Sequence, residues 1–515
     1  MTLFSRTQGE GPDHMIRNLS HMKPIDTDTE EMAAIAADGT SNERGATLVL
    51  AAAVLVVLLG MAGFAVDLGW LYSQRTEATK AAESAALAGV VHMPNPSSIV
   101  WASGAPAWDT AIDIAERSGY EDGVNAVVVP QKIAGHPNRL RVDVSQNVPT
   151  FFMKVFGVDT VSIDATATAE QTPPLKIGSD EPSLGGGSTD FWVAVNGTRR
   201  KKGDGDPYST KCPGLSNNCG ASPIGNAEYR RPAYYYGVEV PPSEVGKQLT
   251  VQIFDGQQNN SASVTKEGGG ADGYFELRFR LFAPDATPAE PTDNSTVVCS
   301  ATFFYETDTT KINSWDTLGG CPVAAQGGIY VLEVDIIENG PDVLSNHNVA
   351  ITAFAIRSLI DGNPNNNTAV FGLGSMSLWL PNSGSSPSFK VVKLEEFYAG
   401  TELILNLFDI GDLSVSGDLD ILGELSNIDC QLRVRNADGS IDTNWTTDDG
   451  GANCHLDVTP QEYNNQWLDL KFDIPSDYTC ASDCWVNILY GFAGNVTERT
   501  VVTATINGLP VHLVP

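Results

Sequence analysis

The sequence predicts an α+β protein: an N-terminal transmembrane helix that continues into a small α+β unit, then two mainly-β sandwich domains of jelly-roll-like type. Three observations predict this fold class. One uncharged apolar run, residues 45–66, is long enough to span a bilayer. An alanine-rich helical pattern follows it directly. After residue 188, short strand-like runs alternate with clusters of turn residues to the end of the chain.

Residues 1–43 are polar, lack apolar periodicity and contain an acidic patch. We predict a mostly disordered cytoplasmic tail, because such a composition buries too little apolar surface to fold. The apolar run GATLVLAAAVLVVLLGMAGFAV would extend about 30 Å as a helix, which matches the thickness of a bilayer core. A cleaved secretory signal is the alternative. Its apolar core is usually shorter and closer to the N-terminus, so we expect a retained anchor.

The helix is predicted to continue past the membrane and to cover residues 44–92 in all. Alanine dominates residues 78–88, which favours helix, and Pro94 ends the pattern. The resulting stripe of small residues has two interpretations. It receives the helix of a partner protein, or it packs on its own domain.

A small α+β unit is predicted over residues 93–170. It contains a helix at 105–118 and three strands with alternating or β-branched patterns, at 125–130, 139–145 and 161–169. A compact aromatic segment, VPTFFMKVFGVDT, lies between the last two strands.

A linker rich in Pro, Gly and Ser is predicted at 171–188, followed by β-sandwich domains at 189–362 and 363–515. The two domains show signs of duplication. Residues 246–257 (GKQLTVQIFDGQ) align without gaps to residues 400–411 (GTELILNLFDIG). In both segments a glycine turn leads into a strand that ends in Phe-Asp.

All eight cysteines lie after residue 210 and fall into neighbouring pairs, which predicts disulfides in an oxidising compartment. The predicted bridges are Cys212–Cys219, Cys299–Cys321, Cys430–Cys454 and Cys480–Cys484. We therefore place the N-terminus in the cytoplasm and residues 67–515 outside the cell membrane. Free thiols in a cytosolic domain are the alternative.

The formal charge of −32 excludes nucleic acid as a partner, because binding it requires clustered Lys and Arg. The sequence contains no Gly-x-Ser-x-Gly, His-Glu-x-x-His or P-loop motif, and its seven histidines are scattered. We therefore predict that the protein is not an enzyme. A cell-surface hydrolase whose catalytic groups meet only in the folded chain is the remaining enzymatic alternative.

Two acidic segments are candidates for Ca²⁺, which takes clustered oxygen ligands. One contains Asp204 and Asp206. The other contains Asp409 and Asp412, with Asp418 and Asp420 further along. Solvated turn acids are the alternative in both segments, and no other cofactor is expected.

The nine tryptophans, including Trp192, Trp379, Trp467 and Trp485, are candidates for sugar-stacking platforms. Packing in the core is the alternative for each of them.

The N-terminal region resembles the TadE/TadG-like proteins of the Flp (tight-adherence, Tad) pilus assembly system. The resemblance rests on Arg44-Gly45, on LLGMAGFAVDLG at 58–69, on Tyr72 and Arg75, and on AAESAALAG at 81–89. The later VPTFFMKVFG and DATATAE resemble the end of that family's N-terminal region, so the likeness covers about residues 44–170.

The resemblance implies a membrane-anchored, pseudopilin-like structural protein whose partners are pilus-assembly proteins or pilin-like subunits. It also marks Gly45 as a position for prepilin-type processing. Leu50 stands where prepilins carry a glutamate, which favours a retained anchor over a filament subunit. The alternative function is a cell-surface binding module whose β-domains recognise a glycan or another envelope polymer, with help from Ca²⁺.

Overall fold

The described part of the chain consists of one long helix, one short helix and many β-strands. The computed structural model describes residues 43–94, 99–134, 136–186, 191–196, 234–255, 276–288, 290–304, 314–337, 351–383, 387–410, 415–426, 428–447, 454–460, 462–480, 483–492, 496–507 and 511–514. The helices are α1 (Glu43–Val90) and α2 (Pro106–Arg117). The predicted cytoplasmic tail lies outside the described residues, except for Glu43 at the start of α1.

The strands are mostly five to ten residues long, as the spacing of turn residues predicts. They are β1 (Val127–Ile133), β2 (His136–Pro149), β3 (Thr160–Gln171), β4 (Lys176–Ile177), β5 (Ser183–Leu184), β6 (Trp192–Asn196), β7 (Tyr234–Val240), β8 (Gln248–Asp255), β9 (Glu276–Phe282), β10 (Val297–Phe304), β11 (Trp315–Thr317), β12 (Val323–Ala324), β13 (Gly328–Ile337), β14 (Ile351–Ile360), β15 (Ala369–Leu373), β16 (Ser375–Ser383), β17 (Ser388–Lys393), β18 (Glu402–Phe408), β19 (Gly417–Gly423), β20 (Gln431–Asn436), β21 (Thr446–Thr447), β22 (His455–Val458), β23 (Gln466–Asp473), β24 (Trp485–Phe492), β25 (Val496–Asn507) and β26 (Val511–Val514). Short 3-10 helices occur at Met153–Phe156, Pro242–Glu244, Pro291–Asp293 and Glu396–Tyr398.

The internal contacts divide the chain into two compact units. The first unit contains the chain up to Trp70 together with Thr150–Asp159. Within the described residues, α1 is the one helix long and apolar enough to cross a membrane. Its apolar side chains, such as Leu48, Leu55 and Leu59, are exposed, as expected for a helix that lipid surrounds. The predicted long apolar N-terminal helix is confirmed, and its length and composition suit a membrane anchor.

The second unit contains Leu71–Pro149 and Thr160–Pro515. The alanine stripe of α1 lies in this second unit and is buried against the rest of it. Ala78, Ala82 and Ala85 pack in one cluster with Ala111 of α2 and Leu140 of β2. Of the two predicted alternatives for the stripe, the structure shows packing on its own domain. Helix α2 and strands β1 to β3 lie close to their predicted positions.

Strands β1, β2, β3 and β26 form an antiparallel sheet in that order. The last strand comes from the C-terminus, with Val511 opposite Gln171 and Val514 opposite Thr168. The end of the chain therefore returns to the small α+β sheet, a pairing that the sequence analysis did not anticipate.

The remaining strands form two large antiparallel sheets with a shared apolar core. One has the order β10-β9-β13-β7-β15-β4-β17-β24-β19-β22, and the other β11-β8-β14-β6-β16-β25-β18-β23-β20-β21. Phe354 of the second sheet lies with its ring centroid 6.1 Å from Tyr236 and 5.4 Å from Phe279 of the first. The predicted sandwich architecture is confirmed.

Both large sheets continue across the predicted domain boundary at 362/363. Strand β4, in the segment predicted as a linker, lies between β15 and β17, and β6 pairs with β16. The segment joins the sheets because Leu175, Ile177 and Leu184 are buried in the shared core. The division into two β-domains stays a prediction.

The two aligned segments adopt the same local structure. Gly246 and Gly400 have φ angles of +84° and +75°, which favour glycine. Each follows a 3-10 helix and leads into a strand of the same sheet, β8 and β18 respectively.

Three of the four predicted disulfides are present in the structure. They join Cys299 to Cys321, Cys430 to Cys454 and Cys480 to Cys484, with Cα–Cα distances of 5.4, 5.3 and 5.2 Å. The predicted Cys212–Cys219 bridge lies outside the described residues.

Candidate functional site

A buried carboxylate on α1 holds the connection between β2 and β3. Asp67, directly after the apolar run, is fully buried. Its Oδ1 accepts a hydrogen bond from the backbone N–H of Phe151 at 2.9 Å. Its Oδ2 accepts from Phe152 at 2.9 Å and from Met153 at 2.6 Å. A buried carboxylate requires such compensation, and hydrogen bonds to a charged oxygen are the stronger kind.

We call residues 150–159 the hairpin tip, and their aromatic side chains pack along α1. The centroid of the Phe156 ring lies 5.7 Å from Phe64, and that of Phe151 lies 5.9 Å from Trp70. A Cβ on Gly63 would come within 2.9 Å of the Phe152 ring, so only glycine leaves room for that ring.

A second candidate site is an aromatic groove on the large sheet that contains β6, β8, β11 and β14. We define the aromatic groove by Trp192, Phe254, Trp315 and Arg357, which line a cavity of about 340 Å³. The ring centroids of Trp192 and Phe254 are 5.8 Å apart, and those of Phe254 and Trp315 are 5.2 Å apart. The Arg357 guanidinium lies 4.1 Å from the Trp315 ring centroid. Its Nε donates to Gln252 Oε1 at 2.7 Å, which fixes the guanidinium over the ring.

A polar cavity of about 600 Å³ adjoins the aromatic groove, since both are lined by Pro182, Ser183, Pro364 and Asn365. Carboxylates, amides and one ammonium line the polar cavity: Glu181, Glu244, Lys247, Asp361, Asn363, Asn366 and Asn367. Flat aromatic faces beside such polar groups can bind a ligand that has both apolar faces and hydroxyl groups.

Four of the nine candidate tryptophans, Trp192, Trp379, Trp467 and Trp485, separate into two groups. Trp192 lines the aromatic groove. Trp379, Trp467 and Trp485 are buried, at 3%, 4% and 0% exposure, so core packing describes them. Trp315 is another of the nine candidate tryptophans, and the pairing of β11 with β8 places it beside Phe254.

Of the predicted metal ligands, Asp204, Asp206 and Asp412 lie outside the described residues. Asp409 is buried, and its Oδ1 accepts a hydrogen bond from Asn465 N at 2.8 Å. A role in Ca²⁺ binding stays a prediction for these four residues and for Asp418 and Asp420.

The structure brings Asp418, an acid of the second predicted segment, together with a histidine and an aspartate of another strand. Asp418, His455 and Asp457 each place one ligand atom within 4.8 Å of the others. They meet because β19 pairs with β22, with Asp418 opposite Asp457 and Asp420 opposite His455. A hydrogen bond from His455 Nδ1 to Asp420 raises the pKa of the imidazole, with further support from the neighbouring carboxylates.

Comparison with known proteins assigns the N-terminal region. Residues 45–92 match the Tad family model, described as "Putative Flp pilus-assembly TadE/G-like". Residues 45–92 are similar to TadE/G-like proteins. Gly63, Phe64, Asp67 and Trp70, the helix residues that hold the hairpin tip, all belong to this TadE/G-like region, whereas the aromatic groove lies outside it. Gly45, the predicted processing position, is its first residue and is exposed near the start of α1.

A comparison with curated proteins finds no match. Among solved structures, a Paenibacillus xanthan lyase is 10% identical with a TM-score of 0.16, covering 73% of this chain and 35% of the lyase. The tandem CBM22-1–CBM22-2 domain of Paenibacillus barcinonensis Xyn10C is 9% identical with a TM-score of 0.11, covering 73% of this chain and 92% of that one. The chain spans about a third of the length of the lyase.

Proposed function

We propose that the protein is a membrane-anchored structural component of Tad-type (Flp) pilus assembly or surface adhesion, and not an enzyme. The observation that carries this proposal is the match of residues 45–92 to the TadE/G-like family model, over the helix that can cross a membrane. Its proposed partners are pilus-assembly proteins or pilin-like subunits.

We infer that the N-terminus is cytoplasmic and that residues 67–515 are extracytoplasmic. Three disulfides in the β-rich part of the chain support this orientation, because structural disulfides persist in oxidising compartments. The acidic composition, with a formal charge of −32, favours solubility of the exported part.

Deletion of the gene, followed by imaging of pili and measurement of surface adhesion, tests this proposal. We expect loss of pili or adhesion, and restoration by the full chain. A matched control replaces residues 45–66 with an unrelated apolar span of the same length, which separates anchoring from helix-specific contacts. Unchanged piliation and adhesion in the deletion strain would contradict the proposal.

A second candidate function is the binding of a glycan or envelope polymer through the aromatic groove. The supporting observation is the line of Trp192, Phe254 and Trp315 next to a cavity lined by carboxylates and amides. Aromatic faces stack on the C–H faces of sugars, while such polar groups accept and donate hydrogen bonds to hydroxyls.

A glycan array with the full chain in detergent, with and without a chelator, tests this second function. Trp315→Ala should abolish a binding signal that the aromatic groove produces. Trp445→Ala is the matched control, because Trp445 also lies under an arginine, with Arg433 at 4.4 Å from its ring centroid, but does not line the groove. Equal binding by both variants, or no binding in either condition, counts against the groove as a glycan site.

A further inference from the structure

The hairpin tip exposes more apolar surface than a connection between two strands usually does. Phe152, Phe151, Phe156 and Val155 are 49%, 51%, 66% and 79% exposed, and they are close neighbours in the chain. Connections between strands are normally polar because they face water. A contiguous exposed apolar patch of this kind marks an interaction surface.

The position of the hairpin tip along α1 indicates what covers this surface. Phe152 packs on Gly63, and Phe156 packs on Phe64, within the apolar run that crosses the membrane. Gly63 lies three residues before the end of that run, about 4.5 Å along the helix axis. A segment packed on Gly63 and Phe64 therefore lies at the same depth, at the boundary between the acyl chains and the lipid headgroups.

The backbone of the hairpin tip is also suited to this depth. Irregular backbone is tolerated in a bilayer only where its polar groups have partners. Asp67 accepts hydrogen bonds from three consecutive N–H groups at the start of the tip. Four backbone hydrogen bonds form within the tip. They join Thr150 N to Asp159 O, Val155 N to Phe152 O, Gly157 N to Lys154 O and Val158 N to Met153 O.

We propose that the hairpin tip inserts its phenylalanine side chains into the lipid leaflet next to Asp67 and acts as a second membrane contact beside α1. Lipid acyl chains are the partner of Phe151, Phe152 and Phe156. The exposed Lys154 carries its ammonium group at the level of the lipid phosphates. Asp67 is a positioning residue, because it fixes the backbone of the tip against α1. This proposal requires that α1 spans the membrane, but it does not depend on which side of the membrane the β-sheets lie.

The depth of a nitroxide label at Val155→Cys tests the proposal in the full chain, reconstituted in vesicles of phosphatidylcholine and phosphatidylglycerol. The measurement compares collision of the label with oxygen, which concentrates in lipid, and with a water-soluble nickel complex. A label at Leu58→Cys in the apolar run gives the lipid reference, and one at the exposed Ile441→Cys gives the aqueous reference. We expect the label at 155 to favour oxygen, as the label at 58 does, in contrast to the label at 441.

Two results would overturn the proposal. Accessibility of the 155 label to the nickel complex equal to that at 441 would place the hairpin tip in water. Shielding of the 155 label from both reagents would show that a protein surface, such as a second copy or a pilin-like helix, covers the tip. A label at Leu58→Cys that is accessible to the nickel complex would instead show that α1 does not span the membrane, which would contradict the proposed function.

The role of Asp67 has its own test in the same preparation. Asp67→Asn loses the negative charge and replaces one accepting oxygen with an N–H donor, so the hairpin tip should detach and the 155 label should shift toward the aqueous reference. Glu77→Gln is the matched control, because Glu77 is an exposed acid on the same helix. An unchanged depth of the 155 label in Asp67→Asn would refute the positioning role.

Discussion

Two disulfides that close loops of very different length should stabilise the protein unequally. Cys299 and Cys321 are separated by 22 residues, whereas Cys480 and Cys484 are separated by 4. Loop-closure entropy grows with the logarithm of loop length. That relation gives about 3.4 kcal/mol for the first bridge and about 1.9 kcal/mol for the second at 25 °C. Replacing the first pair with alanine should therefore lower the free energy of unfolding by about 1.5 kcal/mol more than replacing the second.

Urea unfolding of the two double variants and the parent chain, followed by tryptophan fluorescence in detergent, measures this difference. The parent chain in reducing agent is the control for packing, because it keeps all sulfur atoms while opening the loops. Equal losses in the two double variants, or a larger loss from the Cys480–Cys484 pair, would refute the loop-closure reasoning. Full stability in reducing agent would also remove the main support for an oxidising compartment.

Two further variants test charged interactions, one in each of the two large β-sheets. Asp469→Ala should lower the free energy of unfolding, measured in urea, by about 3–5 kcal/mol, because it removes a fully buried carboxylate that binds both Arg433 and Arg435. A loss below about 1 kcal/mol would contradict this prediction. The imidazole of His455 should titrate above its ordinary pKa of about 6.5 in NMR, and Asp420→Asn should lower that pKa. The stability that the His455–Asp420 pair contributes is present below the pKa of His455 in the unfolded chain, and it is lost as the pH rises through the raised pKa of the folded protein. An unchanged His455 pKa in Asp420→Asn would show that the hydrogen bond to Asp420 does not cause the shift.

Local features of the fold were predictable from the sequence because they depend on local chemistry. The apolar run and its alanine-rich continuation predict one helix, and α1 runs unbroken over Glu43–Val90. Neighbouring cysteines predicted the three described bridges. The glycines at 246 and 400 predicted turns, and both have positive φ angles.

The long-range pairings were not predictable, because short strands carry little information about their partners or register. Strand β4 is two residues long and lies in a Pro- and Gly-rich segment, yet burial of Ile177 places it inside a large sheet. The return of β26 to β3 likewise depends on the folded positions of distant segments.

The grouping of residues into the two candidate sites was not predictable for the same reason. Asp67 lies in the LLGMAGFAVDLG segment, and residues 151–153 lie in the compact aromatic segment VPTFFMKVFGVDT. Nothing in either segment indicates that the carboxylate accepts hydrogen bonds from those N–H groups across more than 80 residues. The aromatic groove combines residues from four separate strands. Its two tryptophans, Trp192 and Trp315, were among the nine candidates, but nothing in the sequence indicates that they meet Phe254 and Arg357.

The side of the membrane on which the large sheets lie decides both the proposed function and the role of the disulfides. Labelling of spheroplasts with a membrane-impermeant maleimide measures it directly, using Ile441→Cys in the β-sheets and Ser20→Cys in the N-terminal tail. We expect Ile441→Cys to react in intact spheroplasts and Ser20→Cys to react only after lysis. Reaction of Ser20→Cys in intact spheroplasts, with Ile441→Cys protected until lysis, would contradict an extracytoplasmic, pilus-associated protein.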